Sequence, residues 1–118
     1  MARLLISCSF GKEDAERATL PFIVANVAAT ADQEVVVFLT IEGVRLATKG
    51  YTDGIQKEGF KPVKEIIESY IANGGQIWAC AACTGPRGIT DVDMIDGATI
   101  KTAANLVEYM ANGAVTLT

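Results

Sequence analysis

Short apolar runs alternate along this chain with segments of helical spacing, and this alternation constrains the fold more than any other feature. Near-continuous apolar runs, the second of them rich in β-branched residues, are typical of strands that are covered on both faces. Such strands separated by helices indicate an α/β protein whose parallel sheet has helices on both sides. The length of 118 residues fits one domain over residues 1–118. The strands are predicted at Ala2–Cys8, Glu34–Thr40, Gln76–Cys80, Ala98–Ile100 and Ala114–Leu117.

The segments between the strands carry start and stop signals of helices. Acidic residues open a predicted helix over Glu13–Thr30, and Pro21 inside it predicts a kink or a later start. Pro62 suits a first helical position, so a helix is predicted over Val63–Ala72, and an Asn-Gly-Gly segment ends it. Shorter or later helices are predicted at Gly43–Lys49, Asp91–Ile95 and Thr102–Asn112.

The composition excludes several classes of function. A net charge of −4, without a basic cluster, argues against nucleic acid as a partner. The chain has no histidine, which excludes a Ser–His or Cys–His catalytic pair and any imidazole metal ligand. Proton transfer must therefore use water, carboxylates, lysine, tyrosine or a second thiol.

The cysteine count and the apolar content bear on location and assembly. Three cysteines and no secretion signal favour a reducing cytoplasm over a disulfide scaffold. The early run Leu4-Leu5-Ile6 after Arg3 is predicted to be a strand, not a signal peptide. No apolar run approaches the roughly 20 residues that span a bilayer, so no membrane partner is expected. A mean hydropathy of +0.29 favours a buried interface between subunits.

A Cys-x-x-Cys pair at the end of the third predicted strand is the strongest candidate for chemistry. Cys80 closes the strand, Cys83 follows, and Arg87 lies in a Gly-Pro-Arg-Gly turn. A cysteine reacts as its thiolate, which backbone N–H groups and a nearby permanent positive charge favour. Because ligands bind outside the carboxyl ends of parallel strands, the sequence predicts a thiol site at this edge of the sheet.

The residues around this pair resemble the DsrE/DsrF family, which includes the TusD and YchN-type proteins of sulfur relay. The resemblance covers nearly the whole chain and implies a three-layer α/β/α sandwich with a mostly parallel five-stranded sheet. It also implies a homo-oligomer, a trimer or a hexamer. The segments that carry it are Ser7–Arg17, the strand 34–40 with Gly43-Val44, Cys80, Arg87-Gly88-Ile89, Asp91, and Ile95–Ala98.

The resemblance further implies roles for three residues. Cys80 matches the reactive cysteine of relatives that move sulfur, seven residues before the arginine of the Arg-Gly pair. Cys83 matches the second cysteine of the YchN-type subset, and Pro86 replaces the usual alanine there. We expect a sulfur carrier or persulfide sulfurtransferase that needs no cofactor or metal and exchanges sulfur with donor and acceptor proteins. Cys80 would take the persulfide, Cys83 would resolve it, and Arg87 would supply positive potential.

Two other classes of function stay open. The chain can be a non-enzymatic oligomeric protein that binds a small ligand or a partner, with Cys80 as a buried strand residue. It can also be a thiol–disulfide redox protein. A thioredoxin-type arrangement is disfavoured because the cysteine pair comes late in the chain and Gly85-Pro86 opposes immediate helix continuation.

The remaining alternatives concern single residues. Cys8 is expected to pack at the end of the first strand, or else to face Cys80 across the sheet edge. Together with Cys83 and a carboxylate, these two cysteines would make a zinc shell. Arg87, if it has no functional role, is expected to pair with Asp91 or Asp93.

Overall fold

The computed structural model describes residues 2–118, which form one five-stranded sheet with helices on both faces. The strand order is β4-β3-β2-β1-β5, and every neighbouring pair is parallel. The predicted α/β fold with a five-stranded parallel sheet is therefore confirmed, and each strand boundary lies within one residue of its prediction. The strands are β1 (Arg3–Cys8), β2 (Glu34–Leu39), β3 (Gln76–Cys80), β4 (Ala98–Lys101) and β5 (Val115–Leu117).

Four α-helices and three 3-10 segments connect the strands. The α-helices are α1 (Ala15–Thr30), α2 (Val63–Ala72), α3 (Ala81–Thr84) and α4 (Ala103–Ala111). The 3-10 segments are Ile41–Ala47, Gly85–Arg87 and Asp91–Asp93. The chain steps from β1 to β4 in one direction and then returns past β1 to β5. Because crossovers between parallel strands are right-handed, this reversal places α4 on the face opposite α1 and α2.

The two helical layers pack on the sheet through aromatic side chains. On one face, α1 contacts α2, and the ring of Phe22 meets the ring of Tyr70 edge-on at 5.9 Å. On the other face, Tyr109 of α4 packs edge-on against Trp78 of β3 at 5.2 Å. Tyr109 is the buried residue of α4, whereas α1 and α2 each bury four or more.

Helix α1 begins at Ala15 rather than near Pro21, so the predicted late start was wrong. The Asp14 side chain caps the helix by accepting the backbone N–H of Arg17 at 3.0 Å. Pro21 has no N–H for the carbonyl of Arg17, four residues before it. The sulfur of Cys8 lies 3.8 Å from that carbonyl oxygen, so the thiol can occupy the place of the missing donor.

Tyr70 is the largest fully buried side chain and joins α2 to two strands. Its hydroxyl lies 3.1 Å from the carbonyl oxygen of Val35 and 2.7 Å from that of Gln76. The ring fills the space above Gly75, where an added Cβ would lie 2.1 Å from a ring carbon. The second glycine after the helix therefore makes room for the ring.

The turn after β2 is strained and closely packed. Ile41 has a φ of 54°, a conformation that is unfavourable for a β-branched residue, and its side chain is 55% exposed. Two residues later, an added Cβ at Gly43 would lie 2.4 Å from the carbonyl oxygen of Cys8. The strained backbone thus brings the 3-10 segment Ile41–Ala47 directly against the end of β1.

We predict that Tyr70→Phe lowers the free energy of unfolding by about 1–2 kcal/mol, because the buried carbonyls lose the hydroxyl that they share. Urea denaturation measures the change. Tyr51→Phe is the matched control, since the Tyr51 hydroxyl accepts one exposed backbone N–H from Lys12. An equal loss in both variants would contradict the role given to Tyr70.

We predict that Ile41→Gly raises the free energy of unfolding by about 1 kcal/mol, because glycine adopts a positive φ without steric cost. The side chain is largely exposed, so little packing is lost. Ile41→Val, which keeps the β-branch and the strain, is the control and should not stabilise. Destabilisation by glycine in the same denaturation experiment would show that the turn is unstrained.

Candidate functional site

The Cys-x-x-Cys pair lies where β3 ends and α3 begins, at the carboxyl edge of the sheet. Cys80 is the last residue of β3 and is 9% exposed, whereas Cys83 lies in α3 and is half-buried. Both are free thiols. The structure therefore brings the two predicted cysteines together and makes Cys83 the more accessible one.

A helix begins directly after Cys80 and contains Cys83, but it ends at Thr84, so the prediction that Gly85-Pro86 opposes helix continuation is confirmed. The helix that contains Cys83 is short because of Pro86. Pro86 has no N–H to donate to the carbonyl four residues earlier, and the α-helix gives way to the 3-10 segment Gly85–Arg87. Gly88, with a φ of 69°, ends that segment and donates its N–H to Gly85 at 3.0 Å. Cys80 thus directly precedes a helical turn, and its sulfur accepts no capping hydrogen bond from that turn.

Arg87 is tied to a carboxylate that the sequence did not identify. Its Nε donates to Oε2 of Glu42 at 2.6 Å, and its Nη1 donates to the carbonyl of Cys83 at 3.1 Å. The expected pairing with Asp91 or Asp93 was wrong, since Asp93 instead accepts the backbone N–H of Thr90. Arg87 therefore binds the backbone of the cysteine turn, and its charge is shared with Glu42.

Glu42 lies between two arginines. Its second carboxylate oxygen accepts a hydrogen bond from Nε of Arg45 at 3.0 Å. The hydrogen bond from Arg87, aided by Arg45, lowers the pKa of Glu42 below its ordinary value. Sequence reasoning missed this residue because a glutamate next to a glycine looks like an ordinary surface carboxylate.

Cys8 is separated from Cys80 and Cys83 by strand β2, and its side chain points to the other face of the sheet. In the parallel register, Cys8 lies beside Leu39, and Leu39 lies beside Ala79. Side chains alternate between faces along a strand, so Cys80 points to the face opposite Cys8. The Cys8 sulfur lies 3.6 Å from the carbonyl of Phe10, and burial raises the pKa of the thiol to about 11. The prediction that Cys8 packs at the strand end is confirmed, and the alternative of facing Cys80 is wrong.

The zinc alternative lacks a ligand set. Within residues 2–118, no group of three or more cysteine, aspartate, glutamate or histidine side chains is arranged to hold a metal ion. The reason is the opposite orientation of Cys8 and Cys80.

Across the same described residues, no helix combines the length and the apolar content needed to cross a bilayer.

Lys101 is a second charged residue that sequence reasoning did not connect with the site. It pairs in register with Cys80, so both side chains point to the same face of the sheet. Its ammonium nitrogen lies 5.3 Å from the centre of the Trp78 ring. Only the pairing of β3 with β4 relates Lys101 to Cys80, and the sequence does not reveal that register.

A separate cavity of about 430 Å³ lies at the carboxyl ends of β1 and β5, beside α1. The strand order reverses between these two strands, and open α/β sheets bind ligands at such points. The lining is mostly apolar, with one arginine; it includes Ile6, Phe10, Arg17, Leu20, Val24 and Leu117.

Known proteins resemble this chain in sequence and in structure. It is 27% identical over 108 residues to the protein MJ0760 of Methanocaldococcus jannaschii, covering 92% of this chain and 39% of that protein's length. It is 30% identical over 95 residues to MK0008 of Methanopyrus kandleri, covering 80% of this chain and 75% of that one. The crystal structure of the ychN protein from E. coli superposes with a TM-score of 0.80 at 21% identity, covering 99% of this chain and 100% of that chain.

The model of the DsrE/DsrF-like family matches residues 2–118, which is the whole described chain. The superposition on the ychN protein shows the same fold. The resemblance expected from the sequence is thereby confirmed: the chain belongs to the DsrE/DsrF-like family.

Proposed function

We propose that this chain is a sulfur carrier that accepts a persulfide on Cys80. Membership of the DsrE/DsrF-like family suggests a role in sulfur relay. The observation that carries the proposal is the position of Cys80, at the carboxyl end of β3 and directly before a helical turn. This is the edge where parallel sheets bind ligands, and a carrier needs its cysteine at such an edge.

The transfer is an exchange between sulfur atoms without net oxidation. The Cys80 thiolate attacks the outer sulfur of a donor persulfide; the donor S–S bond breaks, and a new S–S bond forms on Cys80. The donor leaves as a thiolate, and an acceptor thiolate later takes the same outer sulfur and releases Cys80. The Cys80 proton passes to solvent before the attack.

Cys83 provides a second outcome for the bound sulfur. Its thiolate can attack the inner sulfur of the Cys80 persulfide, which forms a Cys80–Cys83 disulfide and releases hydrosulfide. Because Cys83 is the more exposed of the two, it also faces an approaching acceptor. The donor must reach a sulfur on a residue that is only 9% exposed, which restricts the donor to a group presented closely at this edge.

A thiol–disulfide redox protein is the second candidate, favoured by the helical turn that begins directly after Cys80. In this reaction the two thiols pass two electrons to a substrate disulfide and become a disulfide themselves. A third candidate, ligand binding without catalysis, is supported by the cavity at the carboxyl ends of β1 and β5. The free thiols fit a reducing cytoplasm, which is where we propose that the protein acts.

We also propose that the chain assembles as a trimer or a hexamer. An apolar surface runs along the outer side of α1, where Leu20, Val24 and Val27 are exposed at helical spacing. It continues onto the exposed residues Val115 and Leu117 of the edge strand β5. Leu20, Val24 and Leu117 line the same cavity, so the helix and strand form one contiguous surface. Contiguous apolar surfaces of this kind mark protein interfaces.

We predict that incubation with inorganic polysulfide adds about 32 Da, one sulfur atom, to Cys80. Peptide mass spectrometry locates the adduct. Cys80→Ser should abolish it, and Cys83→Ser should prolong it because the resolving thiol is gone. Cys8 serves as an internal control, since its buried thiol has a pKa of about 11 and should stay unmodified.

Two results would redirect the assignment. A loss of about 2 Da across Cys80 and Cys83, without any sulfur adduct, would favour the redox candidate. Equal sulfur uptake by the Cys80→Ser protein would remove Cys80 as the acceptor.

We predict that Leu20→Glu converts the assembly to monomers, because a charge is placed in the apolar surface of α1. Sedimentation velocity measures the change. Leu20 is 49% exposed, so the substitution leaves the core intact. Val92→Glu is the control, because Val92 is 77% exposed and lies in the 3-10 segment Asp91–Asp93, away from α1. A monomeric protein before substitution would overturn the proposal.

A further inference from the structure

One ion pair connects the cysteine turn to the loop after β2. Glu42 and Arg87 are 45 residues apart in sequence, and their side chains meet at 2.6 Å. The same guanidinium reaches the carbonyl of Cys83 at 3.1 Å. A continuous chain of hydrogen bonds therefore runs from the Glu42 carboxylate to the backbone of the Cys-x-x-Cys motif.

The backbone that presents Glu42 is fixed by two independent features. Ile41, directly before it, is held at a φ of 54°. Gly43, directly after it, packs so closely on the carbonyl of Cys8 that no side chain fits. Strain of this kind persists only where the surrounding structure enforces it, and it concentrates at functional sites. The backbone that carries the Glu42 side chain is therefore fixed independently of Arg87.

We propose that Glu42 is a positioning residue of the thiol site: it holds the Arg87 guanidinium against the Cys83 carbonyl and sets how much positive charge reaches the two thiols. This inference rests on the proposed function of Cys80 and Cys83 as reactive thiols. Glu42 touches neither sulfur acceptor nor donor in this role. It acts through Arg87, whose planar guanidinium donates in two directions at once.

The other charges around Glu42 limit what each substitution does. Arg45 donates to the second oxygen of the carboxylate, so this cluster of three side chains carries a net charge of +1. Lys101 adds a positive charge on the sheet face to which Cys80 points. Removing the Glu42 charge makes the surroundings of the thiols more positive, and removing the Arg87 charge makes them less positive. The thiolates are stabilised in the first case and destabilised in the second.

The test is the pH dependence of alkylation by iodoacetamide, followed at each cysteine by peptide mass spectrometry. Glu42→Gln removes the charge, while its amide oxygen still accepts the hydrogen bond from Arg87, and should lower the midpoint at Cys83 by about 0.5 pH unit. Arg87→Gln should raise it by a similar amount, and the double variant should return it near the starting value. Glu42→Asp, which keeps the charge, should leave the midpoint close to that of the unsubstituted protein.

Asp53→Asn is the matched control, because Asp53 forms an exposed ion pair with Lys64 at 3.2 Å that makes no contact with the cysteine turn. It should not move either midpoint. Melting temperatures are recorded for every variant. If Glu42→Gln lowers the melting temperature but leaves the midpoint unchanged, or raises it, the role proposed for the Glu42 charge is overturned. Should Arg87→Gln fail to fold, the two Glu42 variants still decide the question.

The experiment also separates this inference from the sulfur-carrier proposal. Alkylation uses no sulfur donor, so the shifts can be measured even if Cys80 never takes up sulfur from polysulfide. Failure of sulfur uptake with the expected shifts would reject the carrier and keep the role of Glu42. Sulfur uptake without any shift would keep the carrier and reject the role of Glu42.

Discussion

The burial of β2 between β1 and β3 is the constraint on which the site depends. β2 is hydrogen-bonded on both sides, and its residues Val36, Val37 and Leu39 are fully enclosed. A strand in this position fixes the register of both neighbours, because a slip of one residue would move every side chain to the wrong face. The register places the side chains of Cys8 and Cys80 on opposite faces of the sheet. The turn at Ile41, which follows β2, places Glu42 next to the end of the sheet.

Three cysteines in one small domain have three different surroundings. Cys8 lies under α1 near backbone carbonyls, and its pKa is raised by burial. Cys80 ends a buried strand, and Cys83 lies half-exposed on a helical turn whose carbonyl binds Arg87. The first position suits a structural thiol, and the other two are the ones for which exchange chemistry is proposed. The division follows from strand register and from where the helix begins, rather than from the spacing of the cysteines.

The sequence was sufficient for the strands, for the long helices and for the place of the cysteine pair at a strand end, because these depend on local pattern. The β-branched run in β2 identifies a strand directly, and the glycines after α2 identify the end of that helix. The contacts of the site depend on distant pairings that no local pattern encodes. Glu42 meets Arg87 across 45 residues, and Lys101 meets Cys80 only through the pairing of β4 with β3. The late helix start predicted from Pro21 was wrong for the same reason. Pro21 leaves the carbonyl of Arg17 without its helical donor, and Cys8, which belongs to β1, lies near that carbonyl.

The unequal anchoring of the two helical layers has a consequence for motion. Helices α1 and α2 bury four or more side chains each and contact one another, whereas α4 buries Tyr109. Segments with few buried contacts open at a lower free-energy cost than the rest of the domain. Amide protons of α4 should therefore exchange with solvent before those of the opposite layer. The face of the sheet toward which Cys80 points is thus the one that sub-global opening uncovers first.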